Sequence, residues 1–147
     1  MKHITDFDIN DYHAVPVPKC GYLDLEKDYR ILVSLNEEAS SKMVLYKIYD
    51  FDYDGIDKDM LCLRFHEDTF EYMDPYIFYI LNRKLHLFIN MYEEQYIDTP
   101  EMIDEAIKIM KLILRNTDDK AVIDFSKILL EMLQIAKENN TIVGFLL

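Results

Sequence analysis

The run Met43-Val44-Leu45-Tyr46-Lys47-Ile48-Tyr49, the tract Asp50-Phe51-Asp52-Tyr53-Asp54-Gly55-Ile56-Asp57-Lys58-Asp59 and the run Leu61-Cys62-Leu63-Arg64-Phe65 decide how this chain is read. Five carboxylates fall in and around one Asp-Gly pair, and apolar, β-rich residues flank them on both sides. Asp-Gly between such runs favours a two-residue hairpin turn with positive φ at both positions. Setting Tyr53 opposite Ile56 then places Val44, Tyr46 and Ile48 on one face against Leu61, Leu63 and Phe65. A slip of one residue would send that apolar row to solvent, so the register supports itself.

Toward the tip of this hairpin, Asp50 faces Asp59 and Asp52 faces Asp57. Like charges directly opposite are unfavourable. At about 5 Å they repel by about 0.8 kcal/mol in bulk water and about 3 kcal/mol at an effective dielectric of 20. The tip is therefore expected to be solvated or to meet a cationic partner. Phe51, Tyr53 and Ile56 fall on its other face, which sets aromatic contact area beside concentrated charge, as protein interfaces do. Asp50, Phe51, Asp52, Tyr53, Asp54, Asp57 and Asp59 are accordingly the expected partner-binding residues.

The same tract admits a second chemistry. Asp50, Asp52 and Asp54 match the first three ligand positions of a calcium loop, and Gly55 falls where that loop turns sharply. The twelfth position, which should offer a bidentate glutamate, is Leu61. Its loss removes about two of the roughly seven oxygens such a site uses. Ca²⁺ is thus the minor reading, and no cofactor is expected.

Sixteen basic and 28 acidic residues give a net charge of −12 over 147 residues, half of them hydrophobic. That charge disfavours an anionic membrane or a nucleic-acid backbone as a direct partner and favours a basic protein. Residues 1–74 hold 17 acids and 8 bases, and residues 75–147 hold 11 and 8, so the first half carries −9 and the second −3. Cys20 and Cys62 form no ligand spacing and no disulfide framework, which fits a reduced, cytoplasmic setting. Met1 to Tyr12 has no apolar core of a signal peptide, and no run approaches the ~20 apolar residues of a membrane span.

Pro16 and Pro18 make the opening segment extended, and Tyr29–Leu35 reads as a strand followed by a polar loop, Asn36–Lys42. Asp74-Pro75 is a helix start, with Ile77, Leu81, Leu85, Phe88 and Tyr92 recurring on one face to about Tyr96. Thr99-Pro100 starts a second helix through Ile103, Ala106, Ile107, Met110 and Ile113, ending near Asn116. A third begins at Thr117-Asp118-Asp119, buries Val122, Phe125, Leu129, Met132 and Ala136, and stops at Asn139-Asn140. Thr141–Leu147 returns as an edge strand or packs as a tail. The expected fold is one α+β domain over 1–147: a strand-rich 1–73 with a small antiparallel sheet and the Asp54-Gly55 hairpin, three helices on one side of it within 74–140, and a short apolar tail at 141–147. The apolar density of the first helix also leaves a homodimer contact open.

Catalytic groups are sparse. His3, His13, His66 and His86 are scattered, and no nucleophile elbow, phosphate loop, zinc-binding helix or dinucleotide fingerprint is present. Asn82, His86 and Asn90 make a polar stripe at i, i+4, i+8 that reads as the wet side of the first helix, and His66-Glu67-Asp68 reads as a solvated turn. In size, charge and class the chain resembles the acidic single-domain immunity proteins with which bacteria block their own toxins. No motif carries the resemblance, and it transfers no residues. It implies a non-enzymatic, inhibitor-like module that neutralises a basic protein such as a toxin or nuclease. Mimicry of nucleic acid is the further alternative, ranked lower because the helical half carries only −3.

Overall fold

Tyr29, Ile31 and Val33 alternate with Arg30, Leu32 and Ser34, and this row of apolar side chains organises the sheet. In a computed structural model that describes residues 28–46, 60–90 and 94–146, these residues form strand β1 (Asp28–Ser34), followed by helix α1 (Glu37–Tyr46), β2 (Met60–His66), α2 (Glu67–Met73), α3 (Phe78–Leu85), β3 (Glu94–Ile97), α4 (Pro100–Asn116), α5 (Lys120–Asn139) and β4 (Val143–Leu146). The four strands are antiparallel in the order β2-β1-β4-β3. The expected α+β class is what the chain adopts, with the sheet packed against the helices of the C-terminal part.

The hairpin is corrected. Leu61–Phe65 is a strand, as its sequence indicates, but its partner is β1: Tyr29 pairs with Phe65, Ile31 with Leu63 and Val33 with Leu61. Residues 43–46, expected as the other arm, belong to α1. Two physical causes operate. β1 offers the same alternating apolar row as 44–48 did, so β2's inward face is satisfied without them. Asn36 also acts as a helix start, its Oδ1 accepting from the Ala39 N–H at 2.8 Å and its carbonyl from the Ser40 N–H at 3.1 Å. Asn36–Lys42, expected as a loop, is therefore the start of a helix with Glu37 and Glu38 in its favourable first turn. The Asp54-Gly55 turn lies outside the described residues.

The long helix expected over 74–96 is likewise corrected, because the segment holds only the short helix α3 and the start of β3, and a separate helix, α2, ends just before it at Met73. His86 takes a left-handed conformation (φ 55°) that ends α3, with its N–H bonded to the Asn82 carbonyl. No glycine announces that stop. The two later helices match their signals: Thr99 caps α4 through the Met102 N–H, Asp119 caps α5 through Ala121 and Val122, and left-handed Asn140 (φ 53°) ends α5. Lys137 reaches Asp104 at 2.8 Å, tying the end of α5 to the start of α4 in an antiparallel pair.

The sheet is covered on both faces, whereas helices on one side were expected. Ile31, Val33, Leu63, Phe65, Val143 and Phe145 pack with the helices of the C-terminal part in the main core. Leu32 and Met60, with Ala39 and Met43 of α1 and with Tyr96 and Ile142 at their edge, form a smaller cluster on the other face. β4 supplies the reason that α1 can lie so close. It sits inside the sheet, between β1 and β3, rather than at its edge. A Cβ on its Gly144 would stand 2.8 Å from Met43 Sδ and 3.1 Å from Tyr96 Cε1. Gly144→Ala should therefore destabilise the fold by about 1 kcal/mol and Gly144→Val by about 2–3 kcal/mol, read as a lower denaturant midpoint at unchanged slope; a midpoint equal to wild type for Gly144→Val would show that α1 is not seated there.

Candidate protein-interaction surface

Helix α2 has the sequence Glu67-Asp68-Thr69-Phe70-Glu71-Tyr72-Met73 and is followed by Asp74, so four acids and no base fall within eight residues. Its packing fixes which side is presented. Thr69, Phe70 and Met73 are buried, Glu71 is exposed, and Tyr72 and Asp74 are half-buried. Phe70 stacks on Phe78 at a ring distance of 4.7 Å, which holds α2 against the core and turns Glu71 to solvent.

Tyr72 connects this acidic helix to a second acidic element. Its hydroxyl donates to Asp119 Oδ2, while Asp119 Oδ1 accepts from the N–H groups of Ala121 (2.9 Å) and Val122 (3.4 Å) at the start of α5. One carboxylate thus caps α5 and anchors α2 at once. Exposed Asp118 stands beside it, and one turn on, Asp124 is paired with Lys120 at 2.8 Å. Tyr76, 46% exposed, lies with its ring 5.9 Å from that of Tyr72. Tyr72 thus joins two acidic elements, α2 with Glu71 and the following Asp74, and the start of α5 with Asp118 and Asp119, into one acidic band with Tyr76 beside the link.

Local electrostatics match this geometry. The Tyr72 hydrogen bond, joined by the two backbone donors, holds the Asp119 carboxyl below the usual range in spite of the opposing effect of burial. The same bond, with burial and the Asp119 charge, pushes the Tyr72 phenol up to about 12. Asp74 is raised by burial, in the turn between α2 and α3. The positive end of α5 also favours the Asp119 charge, since this carboxylate accepts from the first N–H groups of that helix. Elsewhere the charges are segregated rather than uniformly negative: α4 exposes Glu101, Asp104 and Glu105 on its first turns and Lys108, Lys111 and Arg115 on its last.

The residues singled out from the sequence fare differently. Asp50, Phe51, Asp52, Tyr53, Asp54, Asp57 and Asp59, including the calcium-loop positions, lie outside the described residues. Among the described residues no group of three His, Cys, Asp or Glu side chains is placed to hold a metal ion. The Asn82, His86 and Asn90 stripe is not a helical face. The Asn82 amide accepts from the Ile89 N–H (2.6 Å) and donates to its carbonyl (3.0 Å), closing the loop after α3, and Asn90 Nδ2 donates to the Phe88 carbonyl at 2.5 Å. The α2 band was missed because Glu67-Asp68 read as a turn and Asp74 as a helix cap. Their spacing with Glu71, i, i+4 and i+7, was the available signal.

No family model matches the chain, and no curated protein matches it in sequence. Among solved structures, the Neisseria DNA mimic protein DMP12 is similar in fold: the match covers 81% of this chain and 99% of that one, with a TM-score of 0.53 and 16% identity. This likeness overturns the partner expectation as the sequence framed it. That expectation named a basic toxin or nuclease and kept mimicry of nucleic acid only as a further alternative, whereas the protein similar in fold is a DNA mimic; the expectation of no direct contact with nucleic acid is not tested by the likeness. The toxin or nuclease partner is withdrawn, and the immunity-protein resemblance finds no support. Among the described residues no helix is long and apolar enough to cross a membrane.

Tyr72→Phe should cost about 1 kcal/mol of stability, the low end for a charge-assisted bond because both partners are half-solvated. It should also change the pH profile. The lowered Asp119 carboxyl stabilises the fold above the ordinary carboxylate value, and this is lost as pH falls through the depressed folded-state value. The raised phenol stabilises the fold below pH 10, and this is lost as pH rises through about 12. Thermal melts of wild type and Tyr72→Phe across pH should converge at both extremes, and a constant difference would show that the bond is absent.

Proposed function

We propose that this chain is a non-enzymatic mimic of nucleic acid, presenting carboxylates where phosphates would stand to the DNA-binding face of a protein partner. The observation that carries the reading is the band that Tyr72 assembles from α2 and the start of α5. The fold likeness to a DNA mimic protein and the net charge of −12 support it. Spacing supports it as well. Acids four and three residues apart on a helix are separated by about 6 and 4.5 Å along its axis, the same order as the 3.4 Å axial step between phosphates on one strand. Carboxylates on a folded scaffold are preorganised, so a partner's lysines and arginines meet them with little ordering cost. Tyr72 and Tyr76 add contact area and a face for a guanidinium that bare phosphates lack. The tract Asp50–Asp59, with Phe51 and Tyr53, belongs to the same proposal as a second source of acidic and aromatic contacts.

Competition with DNA tests this directly. Immobilised wild-type chain should retain proteins from a DNA-affinity-purified fraction of the native host, and added duplex DNA should displace them. Glu71→Lys with Asp118→Lys, both at exposed positions, should weaken retention about tenfold at low salt, with the difference shrinking as salt is raised. Retained proteins that duplex DNA fails to displace would refute mimicry, and undiminished retention by the double variant would remove the α2–α5 band from the interface.

A further inference from the structure

We propose that a hollow on the exposed face of α3 is a specificity element, which receives an acidic side chain standing beside the DNA-contacting face of the protein partner. The inference rests on the DNA-mimic reading and adds to it a cationic contact, which DNA itself cannot offer. Tyr79, Ile80, Arg83 and Lys84 line a hollow of about 260 Å³. The Arg83 guanidinium lies 5.7 Å from the centre of the Tyr79 ring, with Nη1 3.5 Å from its hydroxyl, so the cation is held against an aromatic wall. Among the described residues neither Arg83 nor Lys84 is paired with an acid, in a chain of 28 acids and 16 bases. Two cations in the last turn of α3 do complement the negative end of the helix. That accounts for their place in the sequence, but not for the hollow or for Tyr79, which is 54% exposed.

The hollow adjoins the acidic band. The Tyr79 N–H donates to the Asp74 carbonyl at 2.9 Å, and Tyr76, whose ring meets that of Tyr72, precedes Tyr79 by one turn of chain. Arg83 lies one turn beyond Tyr79, about 6 Å along α3. A partner seated on the band is thereby brought to the edge of the hollow, and charge decides what enters. Lysines and arginines of a DNA-binding face are repelled by Arg83 and Lys84, so these two cations weaken the band's attraction unless an anion meets them. A nucleic-acid backbone would meet the repulsion of the whole −12 chain. A carboxylate on a partner that the band already holds arrives at an effective concentration of about the millimolar range, where surface ion pairs too weak between separate molecules suffice. Its aliphatic stem suits a lining of Tyr79 and Ile80. DNA-binding faces are alike in being basic, so the band attracts them all, and discrimination needs an element that the wrong partner leaves unsatisfied.

Two synthetic peptides, octalysine extended by Gly-Gly-Glu-Glu and octalysine extended by Gly-Gly-Gln-Gln, both amidated, test the proposal by titration against the full chain at low salt. The wild type should bind the glutamate peptide about threefold more tightly, although its lower positive charge makes it the weaker ligand for a −12 chain. In Arg83→Gln/Lys84→Gln the order should reverse, with circular dichroism unchanged because both positions are exposed. Wild type that prefers the glutamine peptide overturns the proposal, as does a preference for glutamate that survives in the Arg83→Gln/Lys84→Gln variant. A preference that disappears in phosphate buffer of equal ionic strength also overturns it, because the hollow would then be a site for free anions. Failure of the underlying reading looks different: Glu71→Lys/Asp118→Lys would leave the binding of both peptides unchanged, and this inference would fall with it. If that variant weakens both peptides while wild type shows no preference for glutamate, the band stands and the α3 hollow alone is refuted.

Discussion

The packing of Phe78 is the constraint on which the rest of this structure depends. Its ring lies 4.7 Å from Phe70, 5.9 Å from Phe125, 6.3 Å from Phe145 and 6.4 Å from Phe65. One residue at the start of α3 therefore touches α2, α5, β4 and β2, elements that are scattered along the chain. Removing such a ring costs about 3–5 kcal/mol, a large share of the 5–15 kcal/mol that holds a typical domain together. Edge-to-face and offset contacts also impose directions that aliphatic side chains would not. The aromatic cluster thus sets orientation as well as cohesion.

The orientation of α2 follows from this packing. Phe70 faces Phe78, so Glu71 must point away, and Tyr72 is aimed across to the first turn of α5. The acidic band is in this sense a by-product of core packing: its carboxylates are positioned from behind, by rings, and not by one another. Mutual repulsion would otherwise splay them apart, since nothing in a cluster of like charges holds it in shape.

Legibility in the sequence followed the range of the forces involved. Helices α4 and α5 were readable because their signals are local: Thr99 before Pro100, Asp119 before Lys120 and Asn140 beyond Asn139 each act within one turn. β1 and β2 were readable as strands, but their pairing was not. Residues 43–49 and 61–65 are matched in apolar period, and only competition from Tyr29, Ile31 and Val33, outside that window, decides the partner. The break after Leu85 was hidden because a histidine, not a glycine, takes the left-handed position and an asparagine four residues earlier stabilises the loop. The acidic band was hidden for a related reason. Its halves are 47 residues apart at Tyr72 and Asp119, and the denser tract at Asp50–Asp59 drew the reading toward itself.

Asp118 and Asp119 are neighbours of identical chemistry, yet they face unlike evolutionary pressures. Both oxygens of Asp119 are committed inside the molecule, one to a tyrosine and one to a helix end, and Asn or Glu there would lose reach or charge. Asp118 is exposed, and any acid would serve in its place. Divergent relatives of this chain should therefore keep an invariant aspartate at the second position and drift between aspartate and glutamate at the first, so that variation within a two-residue acidic pair separates the scaffold's needs from the surface's.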